Sequence, residues 1–322
     1  MYHTFIQTEN LMKNLFIIIV LSILITGCKQ RSAVSSENNS VKSESARFPV
    51  ELTDFIPFKG NPVLSGTGTD TWDQKIRERG YILHEDGTYY LWYTGYNGDE
   101  SVEKHLGLAT STDGLSWTRY KDNPIFDSGW VEDMSVIKHE GTYYMFAEGR
   151  GDTAHMLTST DRIHWKELGK LDIRKSNGVP IDKGSFGTPA VWYENGLWYL
   201  FYERDDLGIW LATSTDIKVW TNKQDEPVIK MGPEIYDQAA VAMDQIIKYN
   251  GRYYGYYHAS EYKDWHEWTS CVAMSEDLIH WEKYSRNPIM RENKSSPILV
   301  SDGQKYILYT MHPDVCVHFP KK

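Results

Sequence analysis

The 322-residue sequence is poor in cysteine and in basic residues, and it shows no helical hydrophobic period over any long window. Its 34 Lys and Arg residues against 44 Asp and Glu give a formal net charge of −10, which opposes binding to a phosphate backbone. No basic run is interleaved with aromatic residues, so we set nucleic acid aside as a partner. His, Asp and Glu lack the spacing of metal ligands, so the sequence predicts no zinc site and no cofactor, while a central ion stays open.

Long apolar runs are also scarce, and the one from Leu15 to Ile25 is too short to span a bilayer comfortably. It follows Met12 and a lysine, and small residues then precede Cys28, which is similar to the bacterial lipobox with its acylated cysteine. We therefore expect a lipid anchor at Cys28 and a location at the cell envelope, facing the periplasm or on the outer membrane.

This interpretation predicts three segments. Residues 1–28 are a lipoprotein signal peptide whose true start is Met12, residues 29–45 are a polar flexible linker, and residues 46–322 are one folded domain. Besides the lipobox cysteine only Cys271 and Cys316 remain, in predicted strands of different repeats. We expect two buried free thiols there rather than a disulfide.

Aromatic residues are abundant, at 14% of the chain with 22 Tyr and 12 Trp. Tyr and Trp offer flat apolar faces with a polar edge, which suit sugar rings. Aromatic residues also favour strands, so composition alone supports a β-rich fold as much as a sugar site.

Internal repeats define the architecture. The segment "ATSTDGLSW", which ends at Trp117, returns as "LTSTDRIHW", "ATSTDIKVW" and "AMSEDLIHW", ending at Trp165, Trp220 and Trp281. An aromatic hairpin such as "GTYYMFAEG" precedes each copy, and "GQKYILYT" near the C-terminus is a fainter fifth. We expect the Asp of each copy to bond its own turn backbone and the Trp to pack between repeats.

Each repeat predicts a four-stranded antiparallel meander, which is one blade of an all-β propeller. The fifth repeat stops one strand short, and the stretch "ARFPVELTDFIPF" near the start of the domain can supply it. We therefore predict a single five-bladed β-propeller whose last blade is closed by the N-terminal strand.

These motifs, with "GWVEDMSVIKHEGTYYMFAEG" and the "NPI" segments, resemble the five-bladed propeller glycosidases, the group of glycoside hydrolase families 32, 43, 62, 68, 117 and 130. The resemblance implies a funnel on the propeller axis where carboxylates flank a glycosidic bond, and Asp133 is its best single match, with Met134 where family 43 has Pro. In a meander the first strands start, and the second strands end, at the same mouth of the ring.

The register of the repeats places the candidate residues at that mouth. For catalysis we expect carboxyl groups from the set Asp133, Glu132, Glu203, Glu78 and Asp73. For substrate binding we expect Arg79, Glu148, Thr188, Arg204, Asp244, His258 and Trp265.

Two departures from the family pattern affect this set. Arg79 stands where the family has a catalytic Asp, so that Asp73 or Glu78 must substitute, and we expect Arg79 to orient a substrate hydroxyl or a carboxylate. Asp244 falls one residue out of register with the other inner strands, and its side chain could point away from the axis.

The function that we expect is a glycosidase that releases a terminal sugar from an oligosaccharide or polysaccharide with inversion. One alternative is a family 130-like phosphorylase, for which Arg77, Arg79, Arg204 and Lys294 could supply a phosphate site. The other is a non-catalytic carbohydrate-binding propeller, which is favoured if Arg79 has replaced the base.

The lipid anchor gives the first prediction. Cys28→Ser removes the thiol that would be acylated, so the variant is expected to leave the membrane fraction for the soluble fraction of the envelope. Cys271→Ser is the control, and it should stay in the membrane fraction. Equal membrane partition of the Cys28 variant and the wild type would contradict lipidation.

Overall fold

The computed structural model describes residues 44–99, 101–264 and 266–321, without the side chain of Glu78. Two compact units are separated after Pro49. The described part of the first is a helical turn over 44–47. The second begins with the short helix α1 (Val50–Thr53) and contains all the strands. The predicted signal peptide and its Cys28 lie outside the described residues.

The strands of the second unit form five sheets, the blades of an all-β propeller, as the repeats predicted. Blade 5 receives β1 (Phe55–Pro57) from the start of the unit. Blade 1 contains β2 (Lys75–Glu85), β3 (Thr88–Tyr96), β4 (His105–Ser111) and β5 (Thr118–Arg119). Blade 2 contains β6 (Glu132–His139), β7 (Thr142–Gly149), β8 (Thr153–Ser159) and β9 (Lys166–Lys170).

The later blades repeat this order. Blade 3 contains β11 (Ala190–Glu194), β12 (Leu197–Glu203), β13 (Gly208–Ser214) and β14 (Val219–Asn222), and two short strands, β10 (Asp172–Arg174) and β15 (Ile229–Lys230), join it. After a 3₁₀ turn at Ile235–Asp237, blade 4 contains β16 (Ala240–Tyr249), β17 (Arg252–Ser260), β18 (Thr269–Ser275) and β19 (Trp281–Lys283). Blade 5 is completed by β20 (Ile298–Ser301), β21 (Tyr306–Thr310) and β22 (Cys316–Pro320).

The predicted closure of the ring is confirmed. β1 pairs antiparallel with β22, from Phe55 opposite Pro320 to Pro57 opposite His318. Pairing the first strand with the last sheet covers an edge that would otherwise be open. Blade 3 differs from the prediction of four strands, since β10 adds in parallel to β14 and β15 pairs with β13.

The Ser-Asp turns behave as the sequence predicted. In blade 1 the carboxylate of Asp113 accepts the main-chain N–H groups of Leu115 and Ser116, both at 2.7 Å. The same pair of bonds forms at Asp161 and Asp277. Each Asp thus satisfies turn amides that have no strand partner, which fixes the connection between the third and fourth strands of its blade.

The tryptophan that follows each of these turns packs on an aromatic ring of the preceding blade. The four ring pairs are edge-to-face, with centroids 5.7–6.2 Å apart: Trp117 on Tyr309, Trp165 on Trp92, Trp220 on Phe146, and Trp281 on Phe201. The apolar core therefore lies between the blades and links them in a ring.

A break in register recurs near the start of the innermost strands. It falls between Arg77 and Tyr81 in blade 1, between Glu132 and Ser135 in blade 2, and between Met243 and Gln245 in blade 4. Bulges of this kind redirect one side chain relative to the regular alternation of a strand. The bulges therefore decide which residues face the axis.

In the described part of the chain, no helix is long and apolar enough to cross a membrane. Cys271 and Cys316 are buried free thiols, as expected.

The ring packing yields a stability prediction. Trp220 is fully buried, so Trp220→Ala leaves a cavity beside Phe146 and is expected to lower the free energy of unfolding by about 3 kcal/mol. The neighbouring Val219 is 36% exposed, and Val219→Ala should change it by less than about 0.5 kcal/mol. Denaturant titration measures both values, and equal effects would contradict packing between the blades as the source of stability.

Candidate active site

Arg79 is fully buried. Its guanidinium donates to the main-chain oxygens of Met243 at 2.7 Å, Asp244 at 3.1 Å and Pro189 at 2.8 Å, and also to that of Asp133. A buried cation requires such partners, and here blades 2 and 4 and the segment entering blade 3 provide them. The two Nη groups of Arg79 therefore hold carbonyls from neighbouring blades together, and its role in substrate binding stays a prediction.

Asp133 and Glu132 begin the inner strand of blade 2, and both are buried. Asp133 lies in the bulge with a φ of 46°, and its Oδ1 accepts the main-chain N–H of Arg79 at 3.1 Å. Glu132 accepts the indole N–H of Trp130 at 2.6 Å and forms an ion pair with Arg77 at 2.8 Å. Burial raises the pKa of Glu132 to about 7 although Arg77 opposes the shift.

Glu148 and Glu203 end the second strands of blades 2 and 3, and their carboxyl groups meet at Gly187. A Cβ on Gly187 would lie 1.9 Å from Glu148 Oε2 and 2.8 Å from Glu203 Oε1, so only glycine fits between them. The N–H of Thr188 donates to Glu148 at 2.9 Å, and that of Gly187 donates to Glu203 at 2.7 Å. Two adjacent main-chain amides therefore hold the two carboxyl groups.

Burial and nearby carboxylates change the protonation of both groups. Burial, followed by the charges of Asp133, Glu132 and Glu203, raises the pKa of Glu148 well above its ordinary value. Burial and the neighbouring Asp206 raise the pKa of Glu203 to about 7. Neighbouring buried carboxylates disfavour each other's ionisation, so the pair is suited to hold a proton near neutral pH.

His258 and Asp244 form a buried pair in blade 4, with Nδ1 of His258 2.8 Å from Oδ1 of Asp244. Burial opposes the protonated form of His258, but the charge and hydrogen bond of Asp244, together with the charges of Asp133 and Asp206, outweigh burial and raise the pKa of His258 to about 9. Asp244 Oδ1 is also 3.8 Å from Arg79 Nη1. The bulge after Met243 thus turns Asp244 inward, which resolves the question of its register.

The remaining predicted residues have other surroundings. The carboxylate of Asp73 accepts Nε of Arg119 at 2.8 Å and the hydroxyl of Tyr93 at 3.0 Å within blade 1, so Asp73 does not join the carboxyl groups at Gly187. Arg204 donates to the main-chain oxygen of Asp182. Trp265 and the side chain of Glu78 lie outside what the structure describes.

Three residues near the carboxyl cluster, Trp130, Asp206 and His312, were not among the site residues predicted from the sequence. Trp130 stands two residues before Glu132 in "GWVED", and Asp206 follows Glu203 in "ERDD", so their proximity along the chain was the available signal. The amide of Asp206 donates to Glu203 at 2.7 Å. His312 precedes a proline in "MHPD", and burial and nearby His258 lower its pKa to about 4.

Across residues 44–99, 101–264 and 266–321, no group of three or more His, Cys, Asp or Glu side chains is placed to hold a metal ion. The cluster at the mouth instead combines carboxyl groups of raised pKa with Asp133 and the charged His258. Such an arrangement can supply a proton from one side chain and accept one at another.

No protein-family model matches the chain. A 1,2-β-oligomannan phosphorylase from Thermoanaerobacter sp. strain X514 is 25% identical over 218 residues, which cover 62% of this chain and 70% of that protein. A Parabacteroides distasonis structure described as a glycoside hydrolase superimposes with a TM-score of 0.70 at 19% identity, covering 87% of this chain and 99% of that one. The chain has the fold of the propeller glycoside hydrolases.

Another structure with this fold belongs to family 130, a family of mannoside phosphorylases that contains glycoside hydrolases targeting β-1,2 mannosidic linkages in Candida mannan. Its TM-score is 0.66 at 16% identity, and the alignment covers 84% of this chain and 95% of that one. The resemblance expected from the repeats is thus confirmed, and the propeller glycoside hydrolase fold accommodates both hydrolases and phosphorylases.

The raised pKa of Glu148 predicts a pH-dependent stability. A folded-state pKa above the unfolded value stabilises the protein at low pH, and this contribution is lost as the pH rises through the folded-state value. Glu148→Gln keeps an oxygen for the Thr188 amide but cannot ionise. The variant is therefore expected to gain stability relative to the wild type as the pH rises from 4.5 towards 8.

Unfolding free energies at pH 4.5, 6 and 8 measure this difference. The exposed Glu226 provides the control, and Glu226→Gln should follow the wild type at every pH. A difference between Glu148→Gln and the wild type that stays constant with pH would show that Glu148 ionises normally in the folded protein.

Proposed function

We propose that the protein is a glycosidase that releases a terminal sugar from an oligosaccharide, with inversion. The observation that carries the proposal is the convergence of Asp133, Glu148 and Glu203 at the start of inner strands and the end of second strands, with raised pKa values at the two glutamates. Glycoside hydrolysis requires one protonated carboxyl group for the leaving oxygen and one carboxylate for water. This site provides both kinds of group.

In this proposal the pair of Glu148 and Glu203 supplies the proton to the glycosidic oxygen. Burial and the nearby carboxylates raise the pKa values of both glutamates and favour a proton there near neutral pH, although the amides of Gly187 and Thr188 oppose the shift. Asp133, which begins the inner strand of blade 2, takes the proton of the attacking water. Attack by water on the face opposite the leaving group inverts the anomeric carbon.

Substrate selection follows from the relatives. A curated relative acts as a 1,2-β-oligomannan phosphorylase, and a family with the same fold contains hydrolases of β-1,2 mannosidic linkages. We therefore propose β-1,2-linked mannosides as the first substrates to test. The oligosaccharide is the expected partner.

Phosphorolysis is the second candidate because the curated relative is a phosphorylase. It requires cations that are available to inorganic phosphate. Of the four basic residues expected for phosphate, the three arginines have other partners and Lys294 remains. Arg79 donates to main-chain carbonyls, Arg77 pairs with Glu132, and Arg204 donates to the Asp182 carbonyl. These contacts favour water over phosphate as the acceptor.

We also propose that the protein works at the cell envelope, held there by a lipid on Cys28. The proposal rests on the apolar run and the small residues before Cys28 in the sequence. A membrane-held glycosidase would meet its oligosaccharide outside the cytoplasm, where a sugar phosphate product would be lost to the cell.

The test of the reaction uses β-1,2-mannobiose with and without inorganic phosphate, and NMR identifies the products and their first-formed anomer. We expect free mannose without phosphate, in the inverted configuration. Asp133→Asn changes shape little and should lower kcat by about 10³-fold or more, because it removes the group that accepts the proton of water. The control is Asp122→Asn, at an exposed position in the loop between β5 and β6, and it should retain full activity.

Three outcomes would contradict the proposal. Mannose 1-phosphate formed only with phosphate would establish the phosphorylase. Near-normal turnover by Asp133→Asn would remove Asp133 from the chemistry. Binding of the mannosides without any turnover would favour the non-catalytic carbohydrate-binding propeller.

A further inference from the structure

A cavity of about 410 Å³ opens between blade 1 and blade 5. Its walls are the loop around Ser65 and Gly68, the start of β2 from Gln74 to Arg77, and the turn from His312 to Asp314 that precedes β22. Small-molecule sites in proteins occupy about 300–1,000 Å³, so the cavity is large enough for a ligand such as a sugar ring.

The cavity adjoins the carboxyl cluster. Arg77 lines it and forms the ion pair with Glu132 at 2.8 Å. His312 also lines it, and the charges of His258 and Asp133 act on its imidazole. Arg77 and His312 therefore lie between the cavity and the carboxyl cluster, which makes the two neighbours.

The lining has the balanced polarity of a site for an uncharged polyol. Lys75 and Asp314 carry opposite charges, and the charge of Arg77 is compensated by Glu132. Gln74 and Ser65 offer hydrogen-bonding groups. An anionic ligand would face Asp314 without a surplus of positive charge, so a neutral sugar fits better than a phosphate or a uronic acid.

The carboxyl groups assigned to the reaction do not line this cavity, since Asp133, Glu148 and Glu203 belong to blades 2 and 3 and the lining comes from blades 1 and 5. The two sugar units joined by the reacting bond must lie against those carboxyl groups. A sugar that binds among the lining residues of the cavity can therefore be a unit other than the two joined by the reacting bond.

We propose that this cavity between blades 1 and 5 binds the third sugar unit of a neutral oligosaccharide, with Gln74 and Asp314 as its specificity-determining residues. This inference rests on the proposed glycosidase function. It makes the enzyme prefer trisaccharides and longer chains to disaccharides.

The experiment compares kcat/KM for β-1,2-mannobiose and β-1,2-mannotriose in the wild type, Gln74→Ala and Asp314→Ala. Loss of one hydrogen bond costs about 1 kcal/mol, so each variant is expected to lower kcat/KM for the trisaccharide about fivefold. The value for the disaccharide should change by less than about twofold, because it does not reach the cavity. Gln304→Ala, in the exposed turn between β20 and β21, is the control and should change neither value.

Equal losses of kcat/KM for both saccharides, or no loss for either, would overturn the subsite while the glycosidase function stood.

If the wild type hydrolyses neither saccharide, the proposed function fails. Binding of the two saccharides to Asp133→Asn, measured by calorimetry, then decides the subsite separately. A tighter trisaccharide complex that Gln74→Ala weakens to the disaccharide value would support it. Equal affinities for the two saccharides would overturn it.

Discussion

The buried guanidinium of Arg79 is the interaction on which the centre of the propeller depends. Leaving a cation in the protein interior without partners would cost several kcal/mol, and here main-chain carbonyls at Asp133, Pro189 and Met243 meet that requirement. Because these carbonyls come from different parts of the ring, one side chain fixes their relative positions. Arg79 also stands where the resemblance to the propeller glycosidases predicts a catalytic carboxylate. The proposed acid and base must therefore come from residues around Arg79.

The site then follows from two geometrical features of the blades. Bulges at the inner strands turn Asp133 and Asp244 toward the axis, and the ends of the second strands bring Glu148 and Glu203 against Gly187. At a pH above the ordinary pKa of glutamate, these buried carboxyl groups lower the free energy of unfolding, because their ionised forms repel each other. The structure thus accepts an electrostatic cost at the positions where a protonated acid is useful.

Much of the fold could be predicted from the sequence because each blade repeats its own local chemistry. The Asp of the turn at Asp113 and the tryptophan at Trp117 have roles that depend on residues nearby or one blade away. The site was harder to predict because a one-residue bulge reverses which side chain faces the axis, as at Asp244. The contacts of Arg79 could not be predicted, because its partners are main-chain carbonyls, which every residue has and which leave no pattern in the sequence.

We infer that Glu148 and Glu203 together retain a proton at neutral pH. Carbon-13 NMR of protein labelled at the glutamate side-chain carboxyl groups tests it directly, with Glu148→Gln and Glu203→Gln to assign the signals. We predict that at least one of the two signals keeps the chemical shift of a protonated carboxyl group beyond pH 6. We also predict that the titration of this signal changes when the other glutamate is replaced by glutamine. Titration of both signals near the ordinary glutamate pKa, each independent of the other, would contradict the inference.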